Sequence, residues 1–197
     1  MSITKLTTNG IVGAKYDTVS ADNYYMEPIA TTLVGAGGVA TIEFTNIPQG
    51  YKHLQIRAIT KNTGAFAGTL DSWMTFNSDS GSNYSFHQLQ GNGAAAASAA
   101  GTSQTRVRIP NQSPGANSTA NTFGSAVIDI LDYANVYKYK TTRSLYGAND
   151  NTTNTEYRIF LHSGLWMNTA AITSITIVPE TANFAQYSRF SLYGIRG

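Results

Sequence analysis

Apolar and polar residues alternate over short spans along most of this chain. Residues 39–44, 53–60, 70–76, 127–131 and 172–178 either place apolar side chains at every second position or cluster them, and Gly, Pro and Asn separate these spans. A period of two is typical of a half-buried strand, because successive side chains point to opposite faces of a sheet. The pattern predicts nine or ten short strands and therefore an all-β domain.

The spacing of these strands favours an antiparallel β-sandwich of the jelly-roll type, in which two sheets share the strands. A strand over residues 105–109 is expected to stop at Pro110, since proline lacks a backbone donor. Residues 84–90 fit either a short strand or a helical turn. The alanine-rich run at residues 91–101 is short, flanked by glycine and without an amphipathic face, which favours an extended surface loop over a helix.

Residues 1–27 differ from the rest, because turn-forming residues there separate only short apolar pairs. Such a segment cannot bury enough apolar surface to fold alone. The sequence therefore predicts an extended N-terminal anchoring arm over residues 1–27, ordered by contact with another molecule, and a β-sandwich domain over residues 28–197.

The composition describes a neutral surface. Charged residues make up 12% of the chain, about half of ordinary usage, and the formal net charge is +2. Arg106 and Arg108 fall on one strand face, which we interpret as a solvated face, so no nucleic-acid partner is expected. The chain has no cysteine, which excludes disulfides, thiolate metal sites and a cysteine nucleophile.

No span approaches the ~20 apolar residues of a membrane helix, and the N-terminus lacks the apolar core of a signal peptide. We therefore expect no membrane partner and no export by the general secretory route. Folding is expected in a cytoplasm, which does not fix where the protein works afterwards.

The residues that carry chemistry are scattered. His53, His87 and His162 stand alone in the sequence, in no zinc or hydrolase motif. Two carboxylates are required for glycoside hydrolysis, and the candidates for such a pair are Glu43, Asp71 and Asp129. Their spacing along the chain does not indicate that any two of them are close in space. We therefore expect neither catalysis nor a cofactor.

The segment around residues 149–151 is the most polar turn in the chain. Asn149, Asp150, Asn151 and Glu156 offer oxygen ligands of the kind that calcium prefers, but without the periodic spacing of a dedicated calcium loop. Asn and Asp are also favoured in tight turns. We interpret the segment as a hairpin turn rather than a metal site.

Aromatic residues are abundant, with twelve Tyr, eight Phe and two Trp. Tyrosine and tryptophan can stack on sugar rings, and they are also enriched at protein interfaces. Packing and interface roles are favoured over sugar binding. The tyrosines that recur near predicted strand ends and loops are Tyr24, Tyr25, Tyr133, Tyr137, Tyr139, Tyr146 and Tyr157.

Three stretches carry a resemblance to known proteins: ITKLTTNGI at residues 3–11, FTNIPQGYKHLQIR at residues 44–57 and SRFSLYGI at residues 188–195. They resemble segments of external virion structural proteins of tailed bacteriophages, of the capsid decoration (cement) or tail-fibre type. The resemblance covers the arm, the first sheet and the last strand, and it implies a virion location but no functional residue.

These observations lead to a ranked set of functional hypotheses. The first is a non-enzymatic capsid decoration (cement) protein that attaches to the particle exterior through its arm. It is expected to form a homotrimer and to have other virion proteins, the major capsid protein or a tail component, as partners. The alternative is a tail-fibre or receptor-binding adhesin that recognises host-surface glycan, and a third is a glycan-degrading enzyme. The interface candidates are Ile3, Leu6, Ile11, Tyr24 and Tyr25, and the receptor-loop candidates are Asn149, Asp150 and Asn151.

Overall fold

The computed structural model describes residues 25–197, and over this range it confirms an all-β fold of two antiparallel sheets. The described part of the chain has twelve strands, more than the nine or ten predicted. They are β1 (Met26–Leu33), β2 (Ile42–Phe44), β3 (His53–Thr60), β4 (Thr69–Phe76), β5 (Tyr84–Gly91), β6 (Ala96–Gln104), β7 (Val107–Pro114), β8 (Gly124–Leu131), β9 (Lys140–Gly147), β10 (Ile159–Trp166), β11 (Ile175–Pro179) and β12 (Arg189–Ile195).

The strand pairing confirms the jelly roll. β1 pairs with β12, β2 with β11, β3 with β8 and β4 with β7, all antiparallel. These four pairs are nested in sequence, as in a long hairpin rolled up so that its pairs alternate between two sheets. The small sheet has the order β2-β11-β4-β7, and β1-β12-β3-β8 forms one half of the large sheet.

Two inserted hairpins enlarge the large sheet. β5 and β6 are inserted between β4 and β7, β9 and β10 are inserted between β8 and β11, and the large sheet continues past β8 in the order β9-β10-β5-β6. We call these four strands the extension. The extension gives the large sheet eight strands against four in the small sheet, and β7 of the small sheet packs against β5, β9 and β10.

The core lies between the sheets and follows the period-two pattern. In β3 the side chains of Leu54, Ile56 and Ala58 point inward and are buried. They face inward residues of the small sheet such as Met74 and Ile177. Because both inner faces consist of branched aliphatic and aromatic side chains, the sandwich needs no disulfide to hold its layers together.

Two local predictions are wrong. The alanine-rich run forms the edge strand β6 instead of a loop, because β5 offers it a backbone partner from Gly91 back to Phe86. β7 continues past Pro110, where a register shift against β4 accommodates the missing donor. Residues 84–91, which fit two structures in the sequence, are a strand.

The predicted anchoring arm at residues 1–27 lies almost entirely outside the described residues. β1 begins at Met26, next to the predicted domain start at residue 28, and the division into arm and domain stays a prediction. Among the described residues no helix is long and apolar enough to span a membrane.

Candidate functional site

The structure does not bring the predicted carboxylates together. Glu43 lies in β2, two strands away from β4, and Thr176 of β11 lies between it and Thr75 of β4. Thr75 is four residues along β4 from Asp71, so Glu43 and Asp71 are far apart. Asp71 forms an ion pair with Arg108, with 2.5 Å between its Oδ2 and the arginine Nε. Asp129 lies on the other sheet, where its Oδ1 accepts a hydrogen bond from Gln55 Nε2 at 2.7 Å. The three therefore form no acid–base pair for hydrolysis.

The three histidines are also separate. His53 accepts a hydrogen bond from the backbone N–H of Asp132 through its Nδ1. His87 is exposed on the outer face of the extension, and His162 is buried on the inner face. Within residues 25–197 no group of three or more His, Asp or Glu side chains is placed to hold a metal ion.

A groove of about 840 Å³ lies on the outer side of the large sheet, and we call it the outer groove. Its volume falls within the range of about 300–1,000 Å³ that small-molecule sites have. The β9–β10 loop at residues 148–158 forms one wall, and the β5–β6 tip at residues 91–94 forms another. The outward side chains Val127, Leu145 and Ile159 form its floor, beside Phe123.

The wall formed by the β9–β10 loop is held in one conformation by its own side chains. Asn149 Oδ1 accepts a hydrogen bond from Asn151 N at 2.7 Å, and Asn154 Oδ1 accepts one from Glu156 N at 3.0 Å. Asn154 Nδ2 also donates to Ala67 O at 3.2 Å, which ties the loop to the β3–β4 connection. Asn151 has a positive φ of 62°, which asparagine tolerates. A wall fixed in this way needs little ordering when a ligand binds.

The three receptor-loop candidates occupy different places in this wall, and their role stays a prediction. Asn149 lines the outer groove, whereas Asp150 and Asn151 are outside its lining. Asp150 Oδ1 accepts hydrogen bonds from the hydroxyl of Thr152 at 2.5 Å and from its backbone N–H at 3.2 Å. Burial alone would raise the pKa of Asp150, but these Thr152 bonds help to hold it below its usual value. Asp150 thus stabilises the turn through hydrogen bonds within it.

Several donors and acceptors along the groove are unused. The hydroxyls of Thr153 and Thr155 and the Nδ2 of Asn149 form no hydrogen bond with any residue that the structure describes, and all three side chains are exposed. These residues line the outer groove beside its apolar floor. The sequence interpretation missed Thr153, Thr155 and Phe123, although the run of Thr and Asn after Asp150 was the available signal.

The lining of the groove contains one charged residue, Arg158. Arg158 lines the groove, and its guanidinium lies 3.6 Å from Glu156 Oε1 while its Nε donates to Thr155 O at 3.0 Å. Glu156, outside the lining, partly offsets this charge, and the rest of the lining consists of neutral hydroxyl and amide groups on one side and apolar groups on the other.

The floor of the groove belongs to a longer apolar row. Across four neighbouring strands, Leu89, Leu161, Leu145 and Val127 are aligned as direct cross-strand partners on the outer face. Each of these side chains is exposed. Single exposed apolar side chains are ordinary on a protein surface, but a contiguous row of them indicates a binding surface for a ligand or another protein.

The inner face of the extension shows the opposite polarity. Gln88, His162 and Ser144 are direct cross-strand partners there, and all three are buried. The ring of His162 stacks on Phe86 at 5.4 Å between centroids and meets Tyr146 edge-on at 5.9 Å. Neither His162 nitrogen has a hydrogen-bond partner among the described residues. Burial, assisted by the positive charge of Arg108, lowers the pKa of His162 to about 4.

This inner cluster contains residue types used in acid–base catalysis, but it is closed to large substrates. His162 and Tyr146 are each 1% exposed, so no polymer chain reaches them in this conformation. Burial also raises the pKa of Tyr146. The outer groove is therefore the better candidate for a binding site.

The predicted interface residues Ile3, Leu6, Ile11 and Tyr24 lie outside the described part of the chain. Tyr25, the first described residue, is 84% exposed, and its carbonyl accepts a hydrogen bond from Arg196 N at 3.1 Å. An interface role for these residues, like the predicted homotrimer, stays a prediction.

Comparisons with known proteins give little. No family model matches the chain, and no curated protein matches it. Among solved structures, the chain is similar to a double mutant of the alginate lyase Aly36B in complex with alginate tetrasaccharide, with 10% sequence identity and a TM-score of 0.29. The match covers 85% of this chain and 80% of the lyase chain.

Two predictions are corrected here as wrong: that the protein is a capsid decoration protein, and that it is not an enzyme. This solved structure is a glycan-degrading enzyme and not a virion protein. At this identity and TM-score the likeness transfers no activity, substrate or residue to this chain.

Proposed function

We propose that this protein binds glycan in the outer groove. The observation that carries the proposal is the two-sided lining: exposed hydroxyl and amide groups of the β9–β10 loop face a floor of Phe123, Val127 and Ile159. A sugar ring presents the same two chemistries, with hydroxyls at its rim and C–H groups on its faces. Ligand sites of this size combine an apolar lining with a few placed polar groups.

The balanced Arg158–Glu156 pair favours a neutral glycan over an acidic one. An acidic sugar would have to compete with Glu156 for the guanidinium, which lies 3.6 Å from that carboxylate. A neutral sugar requires only hydrogen bonds, and the free hydroxyls of Thr153 and Thr155 supply both donors and acceptors. Binding is therefore expected to change little with salt concentration.

The setting we propose for this binding is a virion that meets glycan on its host's surface. The resemblance of residues 3–11, 44–57 and 188–195 to tailed-phage virion proteins supports this setting. Other virion proteins are then the partners that hold the protein on the particle. Immunolabelling of purified particles tests the setting separately from the sugar site.

The groove hydroxyls give a direct test of the sugar site. Replacing Thr153→Val together with Thr155→Val keeps the shape of both side chains and removes both hydroxyls. We expect affinity for glycans identified on an array of neutral and acidic sugars to fall about tenfold or more, since each lost hydrogen bond is worth about 1 kcal/mol. Isothermal titration calorimetry with the full chain measures the change.

The matched control is Thr41→Val with Thr45→Val, which removes two exposed hydroxyls beside β2, on the small sheet and outside the groove. This control should bind as the unmodified protein does. Equal losses in both double variants, or no neutral sugar bound by the unmodified chain, would contradict the groove as the site.

A further inference from the structure

The two sheets have four edges, and three of them carry features that prevent pairing with another chain. β1 contains Glu27, Pro28 and a register shift, and β7 contains Arg108, Pro110 and a register shift. β2 is only three residues long. Short length, proline, charge and bulges are the devices by which proteins blunt sheet edges.

The fourth edge, β6, lacks these features over most of its length. It is nine residues long and contains neither proline nor a charged residue, and among residues 25–197 it pairs only with β5. Its pairing is regular from Ala96 to Gly101, and the register shift is confined to its C-terminal end. All but two of its nine residues are exposed. On its outer edge β6 therefore presents a row of backbone N–H and C=O groups that no described strand pairs with, and another strand can join them.

We infer that two copies of this chain pair through β6, edge to edge and antiparallel, so that their large sheets become one continuous sheet across a two-fold axis. This interaction goes beyond the proposed glycan binding and does not depend on it. A two-fold contact uses the same edge on both copies, so a single interface covers both exposed strands.

The side chains of β6 favour a second copy over a foreign peptide. Strand addition gains its specificity from pockets that receive alternate side chains of the added strand. From Ala96 to Gly101 the side chains of β6 itself are only alanine, serine and glycine, which are too small to wall such pockets beside an added strand. A foreign strand would thus find backbone partners without selection, whereas self-pairing needs only that both edges be free of obstruction.

Charge and register permit the self-pairing. Residues 91–105 contain no Asp, Glu, Lys or Arg, so two copies approach without like charges at the contact. If the axis passes through Ser98, Ala97 lies opposite Ala99 of the second copy, and Ala96 lies opposite its Ala100. Direct cross-strand partners are about 4.5–5.5 Å apart between Cβ atoms, so small residues meet without a clash.

The test measures the mass of the full chain in solution over a wide concentration range by sedimentation and light scattering. We expect a dimer of twice 21.1 kDa. Ala97→Lys with Ala99→Lys places like charges opposite each other across the axis, and it should raise the dimer dissociation constant about tenfold or more at low salt. Ala30→Lys on the edge strand β1, also at an exposed alanine, should leave the dimer unchanged.

A charge-swapped variant tests the antiparallel register itself. Ala97→Lys with Ala99→Glu places opposite charges across the same axis, so the dimer should return while the number of substitutions stays at two. Circular dichroism and thermal melting of each variant establish that it is folded. A monomeric or trimeric unmodified chain, or a dimer that the double lysine variant leaves intact, would overturn the inference.

Discussion

Replacing Lys140→Met is expected to lower the free energy of unfolding by about 3–4 kcal/mol, the largest single-residue effect that we predict. Lys140 begins β9 and is fully buried. Its ammonium group donates hydrogen bonds to the carbonyl oxygens of Asn135 at 2.5 Å, Lys138 at 2.8 Å and Thr169 at 2.9 Å. One side chain thus ties the β8–β9 loop to the β10–β11 connection.

The physical reason is the cost of leaving polar groups without partners. Methionine matches the length of the lysine stem and keeps its packing, but it provides no donor for the three carbonyl groups. Burial already lowers the pKa of Lys140, so the charged form depends on these acceptors for stabilisation. Denaturant unfolding followed by tryptophan fluorescence measures the change.

Lys138→Met is the matched control, two residues earlier in the β8–β9 loop. The Lys138 side chain is 60% exposed and contacts Asp132 at 2.7 Å on the surface. Exposed ion pairs contribute about 0–1 kcal/mol, so this variant should be nearly as stable as the unmodified protein. Similar losses in both variants would show that the buried carbonyl cluster is not what Lys140 stabilises.

The second large effect is a loss of stability in acid that depends on His162. We expect the free energy of unfolding to fall by about 2–3 kcal/mol between about pH 7.5 and about pH 4.5 on account of this side chain alone. The pKa of His162 is about 4 in the folded protein because burial disfavours the imidazolium, and Arg108 adds to this effect. In the unfolded chain the pKa returns to about 6.5.

The free energy of unfolding falls in acid because the unfolded state binds a proton that the folded state does not. Below about pH 6.5 the unfolded chain takes up a proton at this site that the folded protein does not yet accept, so acid favours unfolding. The stability that the neutral His162 contributes is fully present above about pH 6.5. It is lost as the pH falls from about 6.5 to about 4, and no more is lost below the folded pKa of about 4.

His162→Gln removes the titrating group and isolates its contribution. Carboxylates with a lowered pKa, such as Asp79 and Asp132, also make the protein less stable in acid, and they are present in the variant too. The difference between the pH profiles of the two proteins therefore belongs to His162. Parallel profiles would contradict a buried, neutral imidazole at this position.

The fold class was predictable because the core strands have the simplest pattern. In β3, Leu54, Ile56 and Ala58 alternate with Gln55 and Arg57, and one face is buried while the other is not. Burial of one sheet face requires this alternation, so the sequence carries it plainly. The number of strands and their turn residues then favoured a jelly roll, which the nested pairing confirms.

The extension was predictable only in part. The turn at residues 149–151 predicts the β9–β10 hairpin, which the pairing confirms, but several inner positions of these strands are polar. β9 places Lys140, Thr142, Ser144 and Tyr146 on its inner face and Leu145 on its outer face. Hydrophobic periodicity assigns leucine to the core, so it gives the wrong face for such a strand. Likewise, alanine favours helix in isolation, and β6 is a strand only because β5 supplies its hydrogen bonds.

The sequence by itself determined the all-β sandwich, the short strands and the neutral, cysteine-free surface, since each follows from local residue choice. Only the tertiary structure decided where the binding groove lies, because its walls come from loops about sixty residues apart in the chain that meet through the pairing of β5 with β10. It alone decided that Lys140 and His162 are buried, since burial depends on what packs over a residue and not on the residue itself.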